Sequence, residues 1–226
     1  MASTAHILDQ LKAKANPNNL EGMAKFGMAV KKRLGVSVPE MRRIAKETGK
    51  NHTLALKLWK TGTAEARIVA ALIAVPEELT EKDMDAWVKD INSWDICDQV
   101  CMSLFEKTPH ARQKIIEWSE REEEFVKRAA FVLIAGLACH DKQATDQEFI
   151  GFLAMIKCGA TDERNFVKKA INWALRNIGK RNSRLNKTAI KMAKEIQHLD
   201  SKAARWIAAD ALRELEGEKI QQRLKK

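Results

Sequence analysis

Tyrosine is missing from this 226-residue chain, and the residues that interrupt helices are scarce, with four prolines and ten glycines. Ala, Leu, Lys and Glu, which favour helices, are abundant instead. No segment shows the alternation of apolar and polar residues that is typical of a β-strand. These absences predict an all-α fold.

The chain also lacks the signals of membrane proteins and secreted proteins. No apolar run approaches the roughly 20 residues that a membrane-spanning helix needs. The segment MASTAHILDQLKAKAN has no basic start followed by an apolar stretch, so we expect no signal peptide and no membrane partner. The four cysteines form no CxxC pair, which is typical of a reduced, cytoplasmic protein. Cys97 and Cys101 can be imagined as zinc ligands with Cys139 and His140, but their spacing fits no common zinc site. We therefore expect no metal and no other cofactor.

The motifs of several large enzyme classes are absent as well. The chain contains no GxGxxG, GxxxxGK[ST], HExxH or GxSxG motif. Its five histidines are scattered, so no Ser/His or Cys/His catalytic pair is indicated. A catalytic site in this chain would have to use carboxylates, aromatic rings and cations.

The positive charge is concentrated in the last third of the chain. Residues 1–163 contain 23 Lys and Arg against 24 Asp and Glu, although the net charge of the whole chain is +10. Ten cations and no carboxylate lie between Arg164 and Lys194. Solvated helices usually mix opposite charges three or four residues apart, so this block favours an anionic partner over a merely solvated surface. Nucleic acid fits better than a membrane, because GKRNSR (179–184) is typical of a loop rather than of an amphipathic anchor.

Four Ala-rich segments begin with a cation and continue with apolar residues at helical spacing. Their first residues are 61, 41 and 36 positions apart, and the first interval has room for the degenerate unit SWDICDQVCMSLF (93–105). A spacing of about 40 residues with further helices in between is typical of HEAT-like repeats. We predict one domain over residues 1–226, an α-solenoid with a concave basic groove, and a non-repeating helical bundle is the alternative. The segments are RIVAALIA (67–74), RAAFVLIA (128–135), KAINWALR (169–176) and RWIAADALR (205–213).

The segment NFVKKAINWALRNIGKR (165–181) carries a tryptophan on its polar side. At the helical period, Trp173 lies about 140° from the centre of the apolar face. Lys169, Arg176 and Lys180 are its neighbours along the helix. Tryptophan is more often found in a core, but a ring among cations suits stacking on sugars or bases next to phosphates. The apolar face consists of Val167, Ala170, Ile171, Ala174, Leu175 and Ile178.

Trp206, between Lys202 and Arg213, shows the same pattern. Capping of the last repeat or packing at an interface is a good alternative for it. Trp87 and Trp118 follow apolar periodicities and are expected in the core.

The segment INSWDICDQVC (91–101) places two carboxylates beside a tryptophan. With Asn92 or Ser93 as the N-cap, Asp95 falls in the first turn, where the helix dipole and a capping box explain it. Asp98 lies beyond that turn, at the edge of the predicted core face and on the same side as Trp94. Two interpretations remain open for Asp98: an ion pair with Arg128, the cation that opens the next unit, or a carboxylate directed into the groove with Trp94 as a wall.

Arg128 opens its repeat among small residues, including Ala129, Ala135 and Gly136. Small neighbours permit the close approach of another helix or of a ligand backbone. An arginine in such a place can bind a phosphate through two hydrogen bonds.

The segments SWDICDQV, FVKRAAF and FVKKAINWALRNIGK, in this order and at this spacing, resemble the AlkD-like DNA alkylation-repair family, which consists of HEAT-repeat DNA glycosylases. The resemblance covers nearly the whole chain. It implies that Asp98 is the catalytic carboxylate, that Trp94 and Trp173 contact the lesion, and that Arg128 contacts a phosphate. The implied partner is duplex DNA with alkylated purines, and we expect the protein to be a monomer. The candidate DNA-binding cations are Lys127, Lys168, Lys169, Arg176, Lys180, Arg181 and Arg184.

The expected activity is hydrolysis of the N-glycosidic bond of N7- or N3-alkylated purines by a monofunctional glycosylase. Such a purine already carries a positive charge, so the enzyme needs a carboxylate for the oxocarbenium-like sugar rather than a strong general acid. Aromatic rings favour the cationic base. The alternative is a non-catalytic HEAT-repeat scaffold that binds DNA or a protein, but it does not readily explain Asp98 beside a groove for phosphates.

Overall fold

The computed structural model describes residues 3–225, and within this range every regular element is a helix. The all-α prediction is therefore confirmed. Internal contacts divide the chain into two compact units, one up to Ala111 and one from Arg112 onwards, and a single domain over residues 1–226 stays a prediction. Among the described residues, no helix is long and apolar enough to cross a membrane.

From residue 3 onwards, the first unit is built from seven α-helices and two short 3₁₀ turns, Pro76–Glu78 and Phe105–Lys107. In it α3, α5 and α7 pack side by side in that order, and α4 packs against α5. Small and β-branched residues make the close packing of α5 possible, since Ala66, Val69, Ala70 and Ala71 are all fully buried. The helices are α1 (Thr4–Ala13), α2 (Asn18–Lys25), α3 (Val38–Thr48), α4 (His52–Trp59), α5 (Ala64–Ile73), α6 (Glu81–Asp90) and α7 (Trp94–Ser103).

The second unit contains two layers of helices. In one layer α9, α11 and α13 lie side by side, and in the other α10 packs against α12, with α10 also contacting α11 and α12 contacting α13. The predicted Ala-rich segments fall on α5, α9, α11 and α13, and the degenerate unit falls on α7. The helices are α8 (Ala111–Ser119), α9 (Glu124–His140), α10 (Asp146–Gly159), α11 (Asn165–Gly179), α12 (Ser183–Gln197), α13 (Lys202–Leu215) and α14 (Glu218–Leu224).

A constant register links successive repeats of the second unit. Asn172 Nδ2 donates to Asp210, and Arg176 Nη1 donates to Glu214, each across 38 residues. In the other layer Lys157 pairs with Glu195, again 38 residues away. A constant offset means that α11 and α13 run parallel, as do α10 and α12. Residues at equivalent positions of neighbouring repeats are therefore 38 residues apart, close to the predicted spacing of about 40.

An irregular segment, residues 26–36, connects α2 to α3 and is fastened at both ends. At its far end, the fully buried Glu65 of α5 accepts hydrogen bonds from the backbone N–H groups of Leu34, Gly35 and Val36. Gly35 has a φ of +76°, and a Cβ there would lie 2.2 Å from the Asn16 carbonyl oxygen, so only glycine fits. The part of the segment that follows α2 is held by the start of α7.

That second attachment centres on a buried ion pair. The Arg33 guanidinium donates two hydrogen bonds to Asp95, at 2.8 and 3.0 Å, and the two side chains are 2% and 15% exposed. Ser93 Oγ donates to Asp95 and accepts from the Ala29 backbone N–H. Ser93 is the N-cap, as predicted, but its side chain makes no capping bond. The prediction of a capping box at Asp95 is thus wrong, because Asp95 binds an arginine 62 residues away.

Asp95→Asn should lower the free energy of unfolding by about 3 kcal/mol, because it leaves a buried guanidinium without its counter-charge. The matched control is Glu47→Gln, which breaks the exposed Arg43–Glu47 pair and should cost less than about 1 kcal/mol. Urea denaturation of both variants gives the two values. Equal losses would show that the Arg33–Asp95 pair does not hold the segment.

Candidate functional site

Trp94 and Asp98 lie one turn apart on α7 and point away from its core face. Both side chains are half-buried, and residues four apart on a helix are neighbours on its surface. The core-face prediction for this helix is confirmed, since Ile96, Cys97, Val100, Cys101 and Leu104 are buried. The first unit therefore presents a carboxylate and an indole together.

The indole of Trp94 is held by the irregular segment. Its Nε1–H donates to the carbonyl oxygen of Phe26 at 3.0 Å. The Phe26 ring itself is 74% exposed, and Val30 in the same segment is 41% exposed. No sequence pattern points to Phe26, because the contact joins residues 68 positions apart. An exposed aromatic ring thus lies next to the attachment point of the predicted lesion-side tryptophan.

Trp173 lies on the free face of α11, as predicted. Its side chain is half-buried, whereas Ala170, Ile171, Ala174 and Leu175 are fully buried. At 3.6 residues per turn, four polar residues lie within about 60° of Trp173 on the helical wheel. These residues are Lys169, Arg176, Asn177 and Lys180. We call this set, together with Trp173, the α11 face.

Carboxylates from α13 neutralise part of the α11 face. Glu214 binds Arg176 at 2.7 Å and Lys180 at 2.9 Å, and Asp210 lies 3.5 Å from Arg176. Burial alone would raise the pKa of Glu214, but Lys180 and Arg176 outweigh it and lower that pKa. Lys169 is exposed and has no ion pair among the described residues. The basic block is therefore less cationic in space than its sequence predicts.

Three other predicted DNA-binding cations lie away from the α11 face or are paired. Lys168 places its ammonium over the ring of Trp206, 5.4 Å from the centroid. Lys127 lies 3.8 Å from Asp162. Arg184 is 69% exposed at the start of α12 and lies 4.0 Å from Asp146.

Arg181 turns towards α9 instead of solvent. Its guanidinium stacks over the Phe149 ring at 4.2 Å and donates to the carbonyl of Ala138 at 2.8 Å. These contacts give Arg181 a role in the fold in addition to its predicted role in binding.

Arg128 is only 5% exposed. Its Nη1 donates to the carbonyl oxygen of Phe166 in the first turn of α11, at 2.5 Å. Small neighbours allow this burial, since Ala129, Ala135 and Gly136 are buried with it. Arg128 thus contacts the helix that carries Trp173, whatever further contact it makes with a ligand.

The imagined zinc site has no counterpart among the described residues. Nowhere in residues 3–225 do three or more His, Cys, Asp or Glu side chains form a group that could hold a metal ion. Cys97 and Cys101 are buried in the core face of α7.

Residues 7–215 match the family model described as DNA alkylation repair enzyme. The chain belongs to this family. The model spans both units and includes all the candidate residues, and the membership supports DNA as the partner.

A solved structure described as "A new family of proteins related to the HEAT-like repeat DNA glycosylases with affinity for branched DNA structures" has the same fold. It matches with a TM-score of 0.77 at 21% identity, over 94% of this chain and 95% of that one. The match confirms the HEAT-like fold of the alkylation-repair family member described here.

Two designed armadillo repeat proteins match less well. One, solved in complex with the peptide (KR)4, has a TM-score of 0.39 at 14% identity, over 99% of this chain and 87% of that one. The other has a TM-score of 0.36 at 16% identity, over 78% of this chain and 92% of that one. A search of curated proteins found no match.

Trp173→Ala should lower the free energy of unfolding by less than about 2 kcal/mol, because the ring lies outside the core. Trp118→Ala is the matched control in the same unit, since that ring is 2% exposed and should cost about 3–5 kcal/mol. Thermal and urea denaturation measure both. A loss as large as that of the control would place Trp173 in the core.

Proposed function

We propose that this protein is a monofunctional DNA glycosylase that removes N7- or N3-alkylated purines from duplex DNA. One observation carries the proposal: Asp98, a carboxylate outside the capping turn, lies one turn from Trp94 on α7, and both half-buried side chains lie off the core face. Membership of the DNA alkylation repair family makes DNA the natural ligand of this surface.

Asp98 is the proposed catalytic carboxylate. When the glycosidic bond breaks, its electrons leave with the purine, which becomes neutral, and the sugar becomes oxocarbenium-like. A carboxylate stabilises that positive charge, orients the water that adds to the sugar and accepts the proton that this water loses. The leaving base needs no strong acid, so the lack of an indicated histidine pair is no obstacle. Trp94 is suited to contact the sugar, because its hydrogen bond to Phe26 fixes the plane of the indole.

Trp173 is proposed as the second aromatic contact to the damaged nucleotide. A ring on the free face of a helix, beside an unpaired Lys169, can stack on a cationic base while the ammonium binds a phosphate. Arg128 is proposed to contact a phosphate and, through the Phe166 carbonyl, to hold the start of α11. The other predicted cations supply affinity without sequence preference.

A second candidate function is DNA binding without base removal. The solved relative at 21% identity is described as having affinity for branched DNA structures. A scaffold of that kind would use the same cations but would not need Asp98. Incubation with DNA that contains 7-methylguanine, followed by detection of the free base, separates the two functions.

Asp98→Asn should reduce release of 7-methylguanine by about a hundredfold or more, the scale of losing a main electrostatic stabiliser. DNA affinity should stay equal or increase, because the change removes a negative charge near phosphates. The matched control is Asp85→Asn on α6, which makes the same change at another half-buried aspartate and should leave base release unchanged. Release at the wild-type rate from Asp98→Asn would remove its catalytic role.

DNA binding should weaken with salt. If about five phosphates are contacted, log K should fall with log salt at a slope of roughly −4 to −5. Lys169→Ala should reduce the magnitude of that slope by about 1, whereas Lys187→Ala on the other layer should leave it unchanged. Fluorescence anisotropy with unmodified duplex at several salt concentrations measures the slopes. A wild-type affinity that does not depend on salt would contradict the proposed DNA contacts.

A further inference from the structure

A polar cavity of about 600 Å³ lies at the C-terminal ends of α9 and α11. Four cations line it: Lys142, Lys180, Arg181 and Arg223. Asn177, whose amide donates to Ala135 and Cys139 of α9, also lines it, and no carboxylate among the described residues belongs to the lining. The proposed glycosylase mechanism uses neither Lys142 nor Arg223.

Three of these cations have no carboxylate partner among the described residues. Lys142 Nζ donates to the Cys139 carbonyl at 2.5 Å. Arg181 Nη1 donates to the Ala138 carbonyl, and Arg223 Nη2 donates to the Lys180 carbonyl, both at 2.8 Å. Lys180 differs, because it pairs with Glu214.

The carbonyl contacts do not balance the charge of the cavity. A helix C-terminus carries about half a negative charge, so the ends of α9 and α11 together supply about one. Three unpaired cations then leave an excess of about two positive charges. Other cations of this unit, such as Arg112 and Arg164, bind carboxylates. This contrast indicates an anion from outside the chain.

We propose that this cavity binds a phosphate group of the DNA strand that lies along the α11 face, and this proposal rests on the proposed function. Asn177 and Lys180 belong to both the cavity and the α11 face. They follow Trp173 by four and seven residues, which is about 6 and 10 Å along the helix axis. A strand stacked on Trp173 therefore brings a neighbouring phosphate to the cavity.

Arg181 makes the cavity a ready-made site. Stacking on Phe149 and hydrogen bonds to carbonyls hold its guanidinium in place before any ligand arrives. Lys142 follows α9 and Arg223 lies on α14, so the cavity gathers cations from separate parts of the chain. Charge-assisted hydrogen bonds from such donors are about twice as strong as neutral ones.

The test compares Arg223→Ala and Lys142→Ala with Lys219→Ala. Lys219 is exposed on the same helix as Arg223 and lies outside the cavity, so it is a matched loss of one charge. With unmodified duplex, each cavity variant should reduce the magnitude of the salt slope by about 0.9, and the control should not. Unchanged slopes in both cavity variants would overturn the proposal. Because two separate variants are used, failure of one to fold still leaves a measurement.

Neutral methylphosphonates scanned along the strand identify the phosphate. A methylphosphonate at one particular position should weaken DNA binding by wild type. At that same position it should not weaken binding by Arg223→Ala, because the variant already lacks the contact. Equal losses in both proteins at every position would overturn the assignment.

Inorganic pyrophosphate alone, titrated by calorimetry, separates this proposal from the proposed function. If wild type does not bind duplex DNA, the proposed function fails, whereas pyrophosphate binding that is lost in Arg223→Ala still supports a phosphate site. Pyrophosphate binding with unchanged DNA slopes would overturn the DNA strand as its source. No pyrophosphate binding together with unchanged slopes would show that the cations serve only the helix ends.

Discussion

The candidate site of this protein depends on a packing constraint. When a helix has a neighbour on each flank and a second layer behind it, only one narrow face remains for solvent. In α11 the flanks meet α9 and α13, and the back meets the layer of α10 and α12. The remaining face has room for a single row of side chains. Trp173 and its cations occupy that row because the other sides of the helix are buried, mostly by alanine, leucine and isoleucine. Packing thus determines which side of α11 faces solvent, and the residues on that side determine its chemistry.

The same stacking decides which charges remain available. A register of 38 residues brings Asp210 and Glu214 beside Arg176 and the α11 face. These carboxylates are far away in sequence, so a count along the chain shows a block of cations without acids. In the folded protein, acids from α13 lie beside these cations. Lys169 stays outside these ion pairs because it lies about two turns before Arg176. Where carbonyls replace carboxylates, at the ends of α9 and α11, the positive charge stays in excess.

Sequence periodicity predicts the local features of this protein well. Apolar spacing predicts the helices, and the four Ala-rich segments fall on α5, α9, α11 and α13. It also places Trp173 off the core, since a helical wheel needs only the residues of one helix. The environment of Asp95 could not be predicted in this way, because its partner Arg33 comes from an irregular segment 62 residues earlier. Phe26 and Glu65 escape prediction for the same reason: their contacts depend on how distant segments meet.

The attachment of segment 26–36 gives the two aspartates of α7 different tasks. Asp95 binds Arg33 and Ser93, and these contacts fix the first turn of the helix. Trp94 lies in the same turn and is fixed again through Phe26. A catalytic group is effective only when its neighbours hold it in place beforehand. Asp95 therefore secures the turn from which Trp94 projects, and in this way it supports the role that we propose for Asp98, one turn further on.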